Sequence, residues 1–310
     1  MTQQPPSDCS ATGYLHPGYA NSLAEFGQPW ALPRSGGQLL VRPIPGSDAQ
    51  DAMGCYPLFC CHDWTRLRED LDELRDRLVS VTLVTDPFGQ YDEPLLRKTF
   101  DVVIPYKEHF VADLGGPWEQ ATSASHRKFA RRALRAVAIE VLSRPHDGLD
   151  DWDRLYAHLV ARHDIKGLRA FSRASFAAQL RVPGMVAFRA AVGAQTVGMH
   201  LWYAQGDAAY SHLSAYSDAG YDLRVSYALN WAANEYFAGK IRWLVLGAGA
   251  GTTAGGGGGL TEYKRGWSTG VRQVYFCGRT LNPAQYEALT RARGRPATEY
   301  FPAYRQGEFA

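Results

Sequence analysis

The chain has 310 residues, of which 45% are hydrophobic and 21% charged, with a formal net charge of +2. That balance excludes global disorder, collagen and coiled coil, and the charge is too mild to announce a nucleic-acid protein. Length alone predicts about two domains, each with enough chain to bury a core.

Residues 1–50 are rich in Pro and Gly and read as an irregular arm with a short strand at 38–42. A second strand is expected at 53–59. Leu67, Leu71, Leu74 and Leu78 recur at helical spacing and predict an amphipathic helix. Val79–Val84 is a β-branched run that ends in Thr85-Asp86-Pro87-Phe88-Gly89, a buried strand entering a turn. Another strand is expected at 100–106. The segment 123–135 predicts a helix of another kind. Arg127, Arg131 and Arg135 lie four apart, with Lys128 and Arg132 beside them, so five cations share one broad face. Such a face is either a solvated connector or a stripe for phosphates on a cosubstrate or an RNA backbone.

From Asp150 onward, Trp152, Leu155, Tyr156, Leu159 and Val160 mark a helix with one buried side, and a short helix is expected at 171–180. Three strands follow at 185–192, 196–203 and 208–215, separated by turn residues, which reads as an antiparallel meander. A helix at 225–238 stops at Gly239. A buried strand at 241–246, a glycine tract over 247–259 and a last strand at 271–280 complete the order.

The glycine tract does not make a dinucleotide site. Thr252 stands where the third glycine of G-x-G-x-x-G belongs, and no helix pattern begins at that point. The tract reads as a surface loop or a lid. No Gly-Lys-Ser/Thr closes a phosphate loop, and no Gly-x-Ser-x-Gly elbow supports a serine hydrolase. Alternation along 208–215 puts Tyr210, His212 and Ser214 on one face. The five cysteines are irregularly spaced and contain no C-x-x-C pair, which fits reduced thiols and argues against a cysteine-based zinc site. The histidines form no metal pattern, so no metal is expected. No apolar run reaches the ~18–20 residues that span a bilayer. The first residues lack a basic or apolar leader, so the expected compartment is the cytoplasm.

Residues from about 125 to 267 resemble the C-terminal half of FemAB-like transferases, also called BioF2-like acetyltransferase domains, of the GNAT superfamily. The resemblance is carried by S-H-R-K-F-A-R-R-A-L-R, L-Y-A-H-L-V-A-R-H-D-I, V-G-M-H-L-W-Y-A and A-Y-S-H-L-S-A-Y-S. It continues in Y-A-L-N-W-A-A-N-E-Y-F-A-G-K, W-L-V-L-G-A-G and L-T-E-Y-K-R-G-W. It implies an α/β (α+β) fold of two GNAT-like units with mixed, largely antiparallel central sheets flanked by helices. By that resemblance the donor's acyl group lies in an opening between the strands at 208–215 and 241–246, where backbone N–H groups polarise its carbonyl. The helix end at Arg224, Val225 and Ser226 would face donor phosphates, with Tyr210 and Ser214 beside the acyl group. Tyr263-Lys264-Arg265-Gly266 matches the family's aromatic–lysine region, so Lys264 would meet donor phosphate or developing negative charge.

One departure stands out. Acyl-CoA enzymes of this superfamily carry a Q/R-x-x-G-x-G/A loop around the pyrophosphate. Here Gly220 stands alone in that stretch, and Asp218 and Asp222 would repel phosphates. Fem-type members instead take aminoacyl groups from tRNA, which the 127–135 stripe would suit.

The resulting expectation is an arm at 1–37, a divergent GNAT-like unit at 38–122, a basic connector at 123–149 and a BioF2-like unit at 150–310. The expected activity moves an acyl or aminoacyl group from acyl-CoA or aminoacyl-tRNA to an amine, in a cleft between the halves. These donors are cosubstrates, no tightly bound cofactor is implied, and nothing calls for DNA. His212 and Asp86 are the candidate bases. Asp86 also reads as a turn-forming aspartate before proline. The competing readings are a non-catalytic RNA-binding or scaffold protein on a decayed transferase fold, and a hydrolase using Ser214 with His212.

Overall fold

The computed structural model describes residues 11–167, 170–249, 258–294 and 298–308. In chain order the first elements are α1 (Pro17–Ser22), β1 (Gln28–Ala31), β2 (Gln38–Pro43), β3 (Gln50–Gly54), α2 (Leu67–Asp72), β4 (Ser80–Val84), α3 (Glu93–Thr99) and β5 (Val102–Asp113). The leucine helix is shorter than its spacing predicts. After Asp72 the chain tightens into three-residue turns, Leu74 N to Leu71 O and Arg77 N to Leu74 O, which still bury Leu74 and Leu78. Helix α3 was not legible from hydrophobic spacing. It starts because Asp92 caps the Leu95 amide and Pro94 sits in the first turn.

Then come α4 (Trp118–Ala121), α5 (Ala124–Leu134), β6 (Ala138–Val141), α6 (Leu149–His163), α7 (Arg173–Gln179), β7 (Met185–Val192), β8 (Gln195–Gln205) and β9 (Ala208–Tyr216). The chain continues through α8 (Asp218–Asp222), α9 (Val225–Phe237), β10 (Trp243–Ala248), α10 (Gly259–Arg265), β11 (Gly270–Thr280) and α11 (Pro283–Ala292). The meander of β7, β8 and β9 and the helices α6 and α9 stand where the periodicity places them. In α6, Trp152, Leu155 and Tyr156 are buried as their spacing demands. Much of the glycine tract, 250–257, lies outside the described residues. Its last glycine opens α10, a short helix that the lack of an apolar pattern concealed.

The chain forms two compact units, Met1–Tyr106 with Val274–Ala310, and Lys107–Gln273. These limits correct the expected ones in three places. The arm belongs to the first unit, because β1 pairs with β2. The basic helix belongs to the second, because Ala130 and Ala133 of α5 are buried with Val225, Ala228 and Leu229 of α9. The last 37 residues (274–310) return to the first unit, because β11 pairs with β4 from Phe276↔Val84 to Thr280↔Ser80. No local pattern reveals such a return, since it joins residues nearly 200 positions apart.

Each unit has a mixed sheet with the same succession of senses. In the first the order is β1-β2-β3-β4-β11, with β3 and β4 parallel and the other neighbours antiparallel. In the second, β7-β8-β9-β10-β5 repeats this, with β9 and β10 parallel and β6 added beside β7. A parallel pair needs a crossover, and α2 and α9 supply the two. A two-unit architecture of mixed, largely antiparallel sheets flanked by helices is therefore present, although its boundaries are displaced from the expected ones.

Candidate active site

The parallel pair of the second unit is short. Its ladder runs Trp243↔Ala208, Leu244↔Ala209 and Val245↔Tyr210 and then ends, although both strands continue. Each strand carries an extra residue immediately beyond that point. In β9 it is His212, skipped between Leu201↔Leu213 and Trp202↔Ser211. In β10 it is Leu246, skipped between Val245↔Val111 and Gly247↔Phe110. A bulge bends its strand and raises the local twist. Two bulges at one level part β9 from β10 and leave backbone N–H groups beyond Tyr210 outside that ladder. The first unit differs at the corresponding place. There Phe59 pairs again with Thr85, its amide donating to Val84 O at 2.7 Å, so the ladder is resumed.

Lys264 stands at the lip of the opening. Its Nζ donates to Ala248 O at the end of β10, 2.7 Å away. Gly247 has φ +77°, and a Cβ there would lie 3.1 Å from that Nζ, so glycine serves both the backbone and the lysine. Lys264 is partly buried. Desolvation first, and the charge of Lys107 second, lower its pKa to about 8. The short helix α10 that carries it is fixed from several sides. His126 Nε2 donates to Tyr263 O at 2.9 Å, and Ser123 Oγ lies 2.7 Å from His126 Nδ1. Tyr263 OH donates to Ser226 O at 2.9 Å, and Ser123 N donates to Gly266 O at 2.9 Å. A Cβ on Gly266 would fall 2.2 Å from the His126 ring, which accounts for the glycine two places after the lysine.

The expected site residues separate. The bulge breaks the alternation that put Tyr210, His212 and Ser214 together. Directly opposed residues of an antiparallel pair share a face, so Ser211 sides with Trp202 and Ser214 with His200, while Tyr210 sides with Tyr203. Trp202 packs on Phe237 of α9 at 5.7 Å, which identifies the α9 side. His212 lies on the other side, 5.0 Å from the Tyr203 ring, with Nε2 2.9 Å from Gln179 Oε1. Burial lowers its pKa to about 3, which makes it a poor proton acceptor at neutral pH. Asp86, in the first unit, is held by its own turn: Oδ1 accepts from Phe88 N at 2.9 Å, and Oδ2 accepts from Cys60 Sγ at 3.5 Å. That geometry is the turn-forming role.

The helix end at α9 is built differently from a phosphate loop. Arg224 adopts φ +55°, and its guanidinium lies 4.1 Å over the Phe129 ring. Val225 is core. The preceding amides are already used within α8: Gly220 N donates to Ser217 Oγ, Tyr221 N to Ser217 O, Leu223 N to Ala219 O and Arg224 N to Tyr221 O. Gly220 is glycine for a packing reason, because a Cβ there would lie 2.2 Å from Val197 O. Gly220→Ala is expected to destabilise the protein by about 1–3 kcal/mol, read as a lower urea midpoint, since a backbone carbonyl has to move.

The cation stripe also divides. Arg127 Nη1 donates to the carbonyls of Glu119 (3.0 Å), Gln120 (3.3 Å) and Thr122 (2.5 Å), a cap for α4. Lys128, Arg131, Arg132 and Arg135 are exposed. Among the described residues no cluster of His, Cys, Asp or Glu could hold a metal, and no helix is long and apolar enough to cross a membrane. Sequence reasoning missed His126, which anchors α10, and His109; it paired His200 with His212, whereas His200 is buried near Lys264 and bonds Ser211. His109 on β5 and His200 on β8 each have the pKa lowered to about 3, by burial first, with Lys264 adding to it.

The family model that matches the chain is an acetyltransferase (GNAT) domain, over residues 120–265. No functionally curated protein matches the chain in sequence. Among solved structures, FemX superposes with a TM-score of 0.66 at 12% identity, covering 93% of this chain and 98% of its own. The C-terminal domain of a protein described as a lysylphosphatidylglycerol synthetase from Agrobacterium fabrum gives 0.61 at 14% identity, covering 86% of this chain and 88% of its own. L-PGS from Bacillus licheniformis gives 0.55 at 14%, covering 86% and 93%. Residues 120–265 thus match an acetyltransferase (GNAT) domain, and the chain as a whole shares its fold with FemX.

Proposed function

We propose that the chain is an N-acyltransferase that takes an aminoacyl group from aminoacyl-tRNA and delivers it to an amine. The observation that carries this reading is the parted β9–β10 pair with Lys264 at its lip. The acyl carbon sits in the opening, and its carbonyl oxygen meets backbone N–H groups beyond the end of the β9–β10 ladder and the Lys264 ammonium. Two features favour an RNA ester over acyl-CoA. Four amides of the stretch that would wrap a pyrophosphate, those of Gly220, Tyr221, Leu223 and Arg224, are already used locally, beside the exposed carboxylates Asp218 and Asp222. Three exposed cations on α5, with Arg135 at its C-terminal cap, offer a phosphate-backbone contact instead. The donor would lie along Tyr263, Lys264 and the Arg224–Ser226 turn.

The test is incubation of the protein with charged tRNA pools, acetyl-CoA and longer acyl-CoAs, each with a panel of amines. Transfer from charged tRNA is expected. Transfer from acyl-CoA alone overturns the choice of donor. Salt-dependent tRNA binding that persists in Lys264→Ala, with no turnover in either protein, favours the non-catalytic RNA-binding reading.

A charged Lys264 gives the reaction a defined alkaline limb. The ammonium is present below a pKa of about 8 and is lost above it, so kcat/KM is expected to fall as pH rises past 8. In Lys264→Arg the cation does not deprotonate in that range, and whatever activity remains should lack the limb. A limb unchanged in Lys264→Arg assigns it to another group.

A further inference from the structure

We infer that the Ser211 hydroxyl is a side-chain hydrogen-bond donor to the acyl carbonyl oxygen in this opening, and that His200 is the positioning residue that aims it. The inference rests on the acyl-transfer reading and assigns that site a further catalytic residue. Ser211 is the first β9 residue beyond the last β9–β10 pair, Tyr210↔Val245, and it immediately precedes the bulge at His212. It is partly exposed, on the α9 side that also holds Trp202 and His200. A bulge is a common device for re-aiming a side chain next to a site.

The tautomer of His200 decides what Ser211 can do. His200 is 4% exposed, and its Nε2 lies 2.8 Å from Ser211 Oγ. Its Nδ1 is buried with no hydrogen-bond partner. A proton on Nδ1 would leave a buried N–H donor unsatisfied, which costs more than an idle lone pair. The proton therefore resides on Nε2, His200 donates to Ser211 Oγ, and the hydroxyl proton is left to donate elsewhere. The ring stays neutral across physiological pH, because burial and the Lys264 charge both oppose its protonation. Lys264 is thus close enough for its charge to be felt at His200.

The reaction balances without any further reagent. The acceptor nitrogen forms a bond to the acyl carbon, and the bond from that carbon to the donor oxygen breaks. Its electron pair leaves on that oxygen, which ends with the proton shed by the amine. Ser211 gives up no proton. It donates a hydrogen bond to the carbonyl oxygen while that oxygen carries negative charge.

The experiment compares steady-state transfer by wild type, Ser211→Ala, His200→Gln, His200→Phe and the Ser211→Ala/His200→Phe double variant. It is paired with nitrogen-15 NMR of the His200 imidazole. Ser211→Ala is expected to lower kcat by roughly 10²–10³-fold with little change in donor KM. His200→Gln, whose amide can still donate to Oγ, should retain more activity than His200→Phe. The phenylalanine change should add nothing once Ser211 is gone. NMR should find the His200 proton on Nε2. Wild-type kcat in Ser211→Ala, an undiminished His200→Phe loss in the double variant, or a proton on Nδ1 each overturns the assignment while leaving acyl transfer standing. Absence of transfer by the wild type with every donor overturns both.

Discussion

Lys264→Ala is expected to lower kcat/KM by at least roughly 10²–10³-fold, which is the scale for losing one preorganised donor to a developing oxyanion. The folded state should survive the change. The ammonium is partly buried with a single carbonyl partner, and desolvation already opposes its charge. Removing it relieves desolvation and leaves only Ala248 O short of a donor at a strand end. The check is a pair of measurements on one sample, single-turnover transfer and thermal unfolding. Loss of transfer with an unchanged Tm supports the role. Equal losses of both would mean that the lysine holds α10 in place.

The largest stability effect is expected from Phe237→Ala in α9. Phe237 is 1% exposed and meets Trp202 at 5.7 Å, Phe188 at 6.2 Å and Tyr236 at 5.0 Å. It joins the crossover helix to two strands of the second unit's sheet. Emptying that volume should cost about 3–5 kcal/mol, measured by urea denaturation. A cost under about 1 kcal/mol would mean that the crossover is not packed as described.

These expectations show where sequence reading works on this chain. Helical spacing in α6 and the turn residues that separate β7, β8 and β9 survive into the fold, because α6 buries one face through Trp152, Leu155 and Tyr156 and each turn joins neighbouring antiparallel strands. The reading fails where a long-range contact overrides local pattern. The leucine repeat promised about three turns, yet the helix closes at Asp72. The return of β11 to β4 leaves no trace in composition. The His212 bulge inverts the face of every later residue of β9. A period of two has no means of announcing an inserted residue, so Ser214 was grouped with the wrong neighbours and Ser211 was passed over. Lys264 was found by resemblance alone. Its signature in the bare residues is a lysine two places before a glycine, and only the His126 ring shows why that glycine is required.

The central claim is that the acyl group of the donor enters between β9 and β10 beyond Val245↔Tyr210. A crystal structure of the protein with a non-hydrolysable 3′-aminoacylamido-adenosine end of tRNA tests it most directly. The account predicts a carbonyl oxygen about 2.7–3.1 Å from donors at the β9 bulge, with Lys264 Nζ turned toward it. A ligand bound elsewhere, with β9 and β10 hydrogen-bonded continuously past Tyr210, would contradict it.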